Sequence, residues 1–197
     1  MTMFRASPML AILLAGGVPT MAQDQSDMQR ALEAADKLAV IETVNAIGIN
    51  ADLDRWDLVI ESFSPGGVIL DYSSYATASA GTEEEPQAQP REDIVAAWRT
   101  VLPGYDYTQH VMGNHQVSID GNAATSISTV HATHILANDQ GEDFWIFIGD
   151  YEHHLVRTPQ GWKVDRMTAN MRAELGNADL PKLATQRVKD GEGRKPR

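Results

Sequence analysis

Apolar residues in the first half of the chain recur at helical spacing. From Met28 they occupy every third or fourth position as far as Ile47, which predicts one long amphipathic helix. Residues 55–63 and 91–102 repeat the pattern and predict two shorter helices, and the apolar run at 68–72 predicts a short strand between them. The first half of the chain is therefore expected to supply three helices and one strand.

The second half of the chain is typical of strands, because apolar and polar residues alternate between turn sequences. Asp120-Gly121 is a strong hairpin signal. The predicted strands cover residues 115–119, 123–137, 144–157 and 162–171. Helices followed by a meander indicate the α+β class, with three N-terminal helices packed on a strongly curved, mainly antiparallel sheet. Such a sheet can curl into a cone-shaped α+β barrel whose interior is a small-molecule pocket.

Side chains alternate between the two faces of a strand, and in two predicted strands one of these faces could line the pocket. His134 shares its face with small residues, whereas His131 points to the opposite face. In the next strand, Gly149 makes space on a face that carries larger rings. These are Trp145, Phe147, Tyr151 and His153. They could wall an aromatic or alicyclic ligand, or they could simply be core residues.

Two segments are mainly polar, and the first of them has no apolar period. Residues 76–90 are small, polar and acidic. A loop of this length in a compact domain is a lid or a disordered insert, and the composition favours the insert. Residues 174–197 form a polar C-terminal tail, for which we predict some helix and some disorder.

The N-terminus has the features of a secretory signal peptide. Arg5 supplies a positive charge, residues 9–18 supply an apolar run too short to span a bilayer, and small residues precede a cleavage site after Ala22. We therefore predict a signal peptide over 1–22, one domain over 23–173, and a periplasmic or secreted protein. An uncleaved anchor or a misplaced start is the alternative. The chain contains no cysteine, which excludes disulfides and a lipid-modified cysteine.

The charge of the chain argues against several classes of partner. Its 197 residues carry a formal net charge of -11. Nucleic acids and anionic lipids attract basic proteins, so we expect neither a nucleic-acid nor a membrane partner. No glycine-rich phosphate loop and no GxSxG nucleophile elbow is present. The pairs His131/His134 and His153/His154 would split between opposite strand faces, which argues against a metal site.

Four dispersed polar residues carry the candidate chemistry: Asp52, Tyr72, His110 and His134. Histidine suits proton transfer, and tyrosine hydroxyls can stabilise charge that develops on a carbonyl oxygen. A buried carboxylate can orient a histidine and stabilise its charged form. The structural alternatives are a histidine at a strand start, a core tyrosine, and a helix-end aspartate, for which Asp54 fits the helix cap better.

Several short motifs occur in a fixed order from residue 30 to residue 172. They are Asp52 with Trp56, Asp71-Tyr72, Thr108-x-His110-x-x-x-Asn114, Asp120-Gly121, Ala132-Thr133-His134 and Gly161-Trp162. Together they resemble the SnoaL-like group of the nuclear transport factor two-like superfamily, and within it scytalone dehydratase and the bacterial bile-acid dehydratases. The resemblance implies a three-helix, curved-sheet cone with a deep pocket. It also implies a homo-oligomer, either a dimer or a trimer.

The resemblance implies roles for the matching residues. His110 corresponds to the histidine that handles the proton. His134 corresponds to a second pocket histidine, and Asp52 to the aspartate that pairs with His134. Tyr72 corresponds to one of two tyrosines that help to bind the substrate carbonyl through water.

Two departures from the family pattern concern the substrate. The position of the second tyrosine is Ala51 here, and a pocket asparagine is replaced by Tyr151. Carbonyl polarisation would then depend on Tyr72 together with another tyrosine. The predicted substrate-binding residues are Tyr75, Tyr107, Asn114, Trp145, Phe147 and Tyr151.

These residues predict a lyase of the dehydratase type, which eliminates water from a small hydroxylated cyclic carbonyl compound without a metal or an organic cofactor. An isomerase that shifts a double bond by the same proton chemistry is the close alternative. A non-catalytic binding protein is the third possibility, and it would need no carboxylate near His134. The expected partners are a small-molecule substrate and other copies of the chain.

Overall fold

A computed structural model of the protein describes residues 21–73 and 86–195. The predicted signal peptide at 1–22 lies almost entirely outside these ranges. Tyr75 and most of the predicted loop at 76–90 also lie outside the described residues. None of the described helices is long and apolar enough to cross a membrane.

The described residues form four α-helices and six strands. The helices are α1 (Met21–Asp52), α2 (Trp56–Ser62), α3 (Arg91–Trp98) and α4 (Leu180–Lys189), with a 3₁₀ turn at Leu102–Gly104. The strands are β1 (Val68–Asp71), β2 (Ala88–Gln89), β3 (Tyr107–Asp120), β4 (Ala123–Ile135), β5 (Phe144–Thr158) and β6 (Gly161–Gly176). The three predicted N-terminal helices are confirmed, and α1 begins before the predicted start at Met28.

Residues 21–34, the first part of α1, belong to a compact unit of their own. All of the side chains described in this unit are exposed. Arg30 forms an ion pair with Asp27, and the Ser26 hydroxyl donates to the Gln23 carbonyl at 2.8 Å. These contacts join residues one turn apart and support the helix locally.

The second unit, which begins at Ala35, is built on one six-stranded sheet with the order β2-β1-β6-β5-β4-β3. Neighbouring strands are antiparallel except for β1 and β6, which run parallel. Gly121 joins β3 to β4 with a φ of 57°, a left-handed conformation that glycine adopts without steric cost. The sheet is curled but not closed, and helices pack on it. The predicted α+β class with a curved, mainly antiparallel sheet is confirmed.

Burial alternates along β4 as the sequence predicts. The buried residues are Ala124, Ser126, Ser128, Val130, Ala132 and His134, whereas His131 is exposed. The core packs this face against apolar residues of the helices and of the residue after α2, among them Val40, Val44, Ile47, Val59, Phe63, Ile94 and Val95. The alternation could be predicted from the sequence because only one face of the strand is buried in the core.

Strand β3 is much longer than the predicted strand at 115–119. A β-bulge after Gly113 interrupts its pairing with β4, and Asn114 there adopts a φ of 52°. A bulge shifts the alternation of side chains by one residue, so the strand has no continuous period to detect. His110 consequently lies within a strand and not at the start of one.

The C-terminal segment is more ordered than the predicted partly disordered tail. Leu180 and Ala184 of α4 form a buried cluster with Tyr105 and Leu136. A Cβ atom at Gly104 would lie 2.0 Å from the Ala184 carbonyl oxygen, so only glycine permits this approach. Leu180, Leu183 and Ala184 recur at helical spacing, so the segment contains a short periodic pattern that the prediction of a partly disordered tail overlooked.

Candidate active site

A cavity of about 400 Å³ lies on the inner face of the sheet. Its wall is mainly apolar and aromatic, with contributions from α1, α3 and strands β3 to β6. The lining residues with polar side-chain groups are Tyr72, Trp98, His110, His134, Trp145, Tyr151 and His153. A largely apolar cavity with a few polar groups is typical of small-molecule sites. Three of the four predicted catalytic residues line it, and the fourth, Asp52, lies directly behind His110.

Asp52 pairs with His110. The Nδ1 atom of His110 lies 2.8 Å from Oδ1 of Asp52, and the backbone N–H of His110 donates to Oδ2 at 2.7 Å. The two side chains are only 14% and 9% exposed. The prediction that Asp52 pairs with His134 is wrong, because His134 lies on β4, one strand further from the end of α1 than His110 on β3.

The backbone at the end of α1 fixes the position of Asp52. Asp54 adopts a φ of 56°, and its N–H donates to the Ala51 carbonyl at 3.2 Å. The N–H of Arg55 donates to the Asn50 carbonyl at 2.8 Å. This is the Schellman pattern, which ends a helix with one left-handed residue. Asp54 therefore ends α1, and α2 begins without the predicted side-chain cap.

The surroundings of Asp52 keep it ionised. Burial is the largest single effect and by itself would raise the pKa of Asp52. The hydrogen bonds and charge of His110, with a hydrogen bond from Thr108, outweigh burial and lower that pKa below its ordinary value. The carboxylate therefore holds a proton on Nδ1 of His110 and leaves Nε2 to exchange protons with a ligand.

Arg194, in the C-terminal segment, is connected to this pair. Its guanidinium contacts Asp54 at 2.7 and 3.2 Å and donates to the Thr108 hydroxyl at 3.3 Å. The Asp54 side chain is 1% exposed, so this ion pair is buried. Because Thr108 also bonds to Asp52, Arg194 fixes a group that orients the Asp52–His110 pair.

His134 is a neutral, buried neighbour of His110. Its Nδ1 lies 3.3 Å from the Trp145 carbonyl oxygen, and its ring centroid lies 4.8 Å from the ring centroids of both Tyr105 and Trp145. The ring stands edge-on to His110 with a centroid distance of 5.4 Å. Burial first, and then the charge of His110, lower the pKa of His134 to about 3. With a proton on Nδ1, its Nε2 can accept a hydrogen bond from a ligand hydroxyl.

Tyr72 presents a protonated hydroxyl to the cavity beside Trp98. Burial of the hydroxyl raises the pKa of Tyr72 to about 12, although a hydrogen bond from the Trp98 indole opposes this shift. Tyr72 as a whole residue is 36% exposed, so the shift reflects the local surroundings of the hydroxyl. Tyr72 can therefore donate a hydrogen bond to a ligand carbonyl oxygen.

The predicted substrate-binding residues divide into three groups. Those that line the cavity are Trp145, Phe147 and Tyr151. Tyr107 does not reach it, because it is 42% exposed and has the opposite strand parity to His110. Asn114 is also placed elsewhere, since it is exposed at the bulge and donates to the Thr129 hydroxyl at 3.2 Å. Tyr75 lies outside the described residues.

Sequence reasoning missed three residues that support the site. Thr108 shares its strand parity with His110, and that signal could have identified it. Trp98 lies at the end of α3, where an apolar position at helical spacing indicates packing and gives no sign of a functional role. Arg194 had no sequence signal, because its partners lie 86 and 140 positions away along the chain.

The histidine pairs separate as predicted. His131 is exposed and His134 buried, and likewise His154 is exposed and His153 buried. The described part of the chain contains no group of three or more histidine, aspartate or glutamate side chains that could hold a metal ion. Neither pair can converge on one ion from opposite faces of a strand.

Comparisons with known proteins agree with this architecture. The model of a family described as the SnoaL-like domain matches residues 32–168. No curated protein shows significant sequence similarity to the chain.

Among solved structures, the chain is similar to the Kfla4162 protein from Kribbella flavida, with a TM-score of 0.68 and 27% sequence identity. The similarity covers 76% of this chain and 99% of the Kribbella protein. A candidate scytalone dehydratase from Novosphingobium aromaticivorans gives a TM-score of 0.58 at 14% identity, with coverage of 73% and 88%. The hexachlorocyclohexane dehydrochlorinase LinA-type3 from Novosphingobium barchaimii gives 0.58 at 14% identity, with coverage of 77% and 94%. The last two similarities show a shared fold.

Proposed function

Because the chain belongs to the SnoaL-like domain family, we propose that it is an enzyme that converts a small molecule in the cavity beside the Asp52–His110 pair. The proposed reaction is the elimination of water from a hydroxylated cyclic carbonyl compound, and it calls on no cofactor. The observation that carries the proposal is a carboxylate-oriented histidine in the wall of a largely apolar cavity. Two proteins of the same fold, named as a candidate dehydratase and a dehydrochlorinase, support an elimination.

The first step is removal of a proton from the carbon next to the carbonyl group. Nε2 of His110 accepts this proton, and the Asp52 carboxylate stabilises the resulting imidazolium. Negative charge develops on the carbonyl oxygen, where the Tyr72 hydroxyl donates a hydrogen bond. The hydrogen bond that Trp98 donates to Tyr72 strengthens the hydroxyl as a donor.

The second step returns the same proton to the departing group. The imidazolium of His110 protonates the hydroxyl on the next carbon, the C–O bond breaks, a C=C bond forms, and water leaves. Neutral His134 accepts a hydrogen bond from that hydroxyl and so directs its oxygen toward His110, whose ring is 5.4 Å away. One histidine thus acts as base and then as acid.

The alternative is a double-bond isomerase, and the same single histidine favours it. If His110 returned the proton to a different carbon, the product would be an isomer of the substrate. A non-catalytic binding protein would use the aromatic wall alone. We also propose that the protein is exported with cleavage after Ala22 and assembles as a dimer or trimer. Mass spectrometry of the exported protein and light scattering test these two proposals.

The experiment is turnover of a panel of hydroxylated cyclic ketones, followed by mass spectrometry. Dehydration lowers the mass by one water, whereas isomerisation leaves the mass unchanged. His110→Ala is expected to abolish turnover. His131→Ala is the matched control, since it removes an exposed histidine from the other face of β4.

Three results would contradict the dehydratase proposal. Full turnover by His110→Ala would remove the proposed base. A product of unchanged mass would identify the isomerase. If the unaltered protein bound these ketones tightly but did not convert them, the result would favour a non-catalytic binding protein.

A further inference from the structure

A second set of buried polar atoms lies in and behind the cavity wall, away from the Asp52–His110 pair. His153 is 1% exposed, and neither of its ring nitrogens has a hydrogen-bond partner among the described residues. The hydroxyls of Ser126 and Ser128, in side chains that are 0% and 1% exposed, also lack partners in the described part of the chain. Buried polar groups are nearly always hydrogen-bonded, so these three residues, here termed the distal polar cluster, call for a partner.

The distal polar cluster is formed by two neighbouring strands. Ser126 lies in register with His153 across β4 and β5, and Ser128 lies in register with Tyr151. His153 lines the cavity directly. His115 of β3 has two more buried ring nitrogens without a partner among the described residues. The cluster therefore lies on two adjacent strands, with His153 in the cavity wall and the two serines behind it.

The distal polar cluster and the catalytic pair lie at different ends of the wall. Across the sheet, His110 is in register with Ala132, and Ala132 with Phe147. From Phe147 to His153 the strand extends by roughly 20 Å before shortening by the curl of the sheet. The rings between them form a continuous wall, with centroid distances of 5.6 Å from Phe147 to Tyr151 and 6.0 Å from Tyr151 to His153.

The chemistry of the cluster selects a neutral partner. Burial first, and then the charges of His115 and His154, lower the pKa of His153 to about 3. Its imidazole is therefore neutral and offers one donor and one acceptor. No lysine, arginine or carboxylate is found among the described residues that line the cavity. A charged ligand group would have no counterion there, whereas a hydroxyl or carbonyl group would be matched.

On the basis of the proposed function, we propose that His153 forms a second hydrogen-bonding subsite, which takes a neutral hydroxyl or carbonyl group at the end of the substrate remote from the reacting carbon. His153, the member of the cluster that lines the cavity, binds that remote group, and the hydroxyls of Ser126 and Ser128 behind it complete the hydrogen bonds of the cluster. The reacting carbon lies beside His110, and the part of the substrate between the two ends stacks on the aromatic wall of β5.

The test is a binding measurement that does not depend on turnover. The probes are rigid ketones of two, three and four fused rings, each with and without a hydroxyl on the ring remote from the ketone. Quenching of tryptophan fluorescence reports binding, because Trp98 and Trp145 both line the cavity. Among the probes, one ring number should match the length of the cavity. For that ring number, the hydroxylated probe is expected to bind about five- to tenfold more tightly than the probe without the hydroxyl, which is the gain that one net hydrogen bond provides.

Substitutions at the cluster should remove this preference. His153→Phe keeps a ring but removes both nitrogens, so the two probes of a pair should bind equally. His153→Gln keeps a donor and an acceptor and should keep part of the preference. His154→Phe is the matched control, because His154 is the adjacent, exposed histidine. If His153→Phe does not fold, Ser126→Ala makes the same comparison at the facing position.

Equal affinity of both probes in every pair for the unaltered protein overturns the inference, and so does a failure of every probe to bind. A preference that survives both His153→Phe and Ser126→Ala overturns it too, and assigns the cluster to bound water. These results leave His110-dependent turnover of other ketones unaffected, so they are separate from failure of the proposed reaction. Conversely, a preference that depends on His153, without turnover of any ketone, supports the distal site and contradicts the elimination.

Discussion

Oδ1 of Asp52 accepts a hydrogen bond from Nδ1 of His110 at 2.8 Å, between the end of α1 and strand β3. The other carboxylate oxygen accepts the backbone N–H of the same histidine at 2.7 Å. One carboxylate therefore fixes both the ring and the backbone of His110. The orientation of Nε2 toward the cavity is set before any ligand binds, which is the preorganisation that proton transfer requires.

Asp52→Asn is expected to lower kcat by about 100-fold or more, with little change in KM. An amide can donate a hydrogen bond to Nδ1, which would place the histidine proton on the wrong nitrogen, and it provides no charge to stabilise the imidazolium. Steady-state kinetics on a confirmed substrate measure the effect. Asp57→Asn, an exposed carboxylate in the first turn of α2, is the control. A kcat equal to that of the control would show that the pair is structural.

Arg194 is expected to act on turnover through Thr108. Thr108→Val removes the hydroxyl that joins Arg194 to Asp52 at nearly constant volume, and we expect kcat to fall roughly tenfold while KM changes little. Arg194→Lys keeps a positive charge beside buried Asp54 but loses the planar fork, so it should retain the fold and show a similar loss in kcat. Kinetics and thermal unfolding of both variants measure the two effects separately.

The double variant Thr108→Val/Arg194→Lys distinguishes positioning from general stability. If both residues act through Asp52, the two losses in kcat should not add. Arg187→Lys is the matched control, because Arg187 bonds to Asp106 and to the Gly104 carbonyl, whereas the Thr108 hydroxyl bonds to Arg194. Additive losses, or an equal loss in the control, would contradict the positioning role.

Gly48→Ala is expected to reduce activity without unfolding the protein. A Cβ atom at this position of α1 would lie 2.9 Å from Cε of Met112 and 3.2 Å from Cβ of His110. The end of the methionine can move, but His110 must shift by a few tenths of an ångström, and kcat/KM should fall roughly tenfold. Alanine favours the helix, so the melting temperature should not fall greatly. Gly66→Ala, in an exposed turn, is the control, and unchanged kcat/KM in Gly48→Ala would contradict the prediction.

The parts of the fold that the sequence predicted are those that depend on local pattern. The inward face of β4 was predictable because burial of one strand face imposes a period of two. The partner of Asp52 was not predictable, because it depends on which strand lies beside the end of α1. The contribution of Arg194 was equally hidden, since nothing in a polar tail indicates which buried carboxylate it will reach. Local chemistry and the family resemblance identified His110 and His134, and only the tertiary structure showed which of them pairs with Asp52.

His134 and His153 should make the fold sensitive to acid. Burial lowers both pKa values to about 3 from the ordinary value of 6.5, so between these values the unfolded chain binds protons that the native protein does not. The free energy of unfolding should therefore fall as the pH drops from 6.5 toward 3, by up to about 1.4 kcal/mol per pH unit for each histidine. Urea unfolding between pH 4 and 7 should show a shallower dependence for His153→Phe than for the exposed control His154→Phe. Equal slopes in the two variants would mean that His153 is protonated in the native protein, and the distal polar cluster would then bind an anion and not a neutral group.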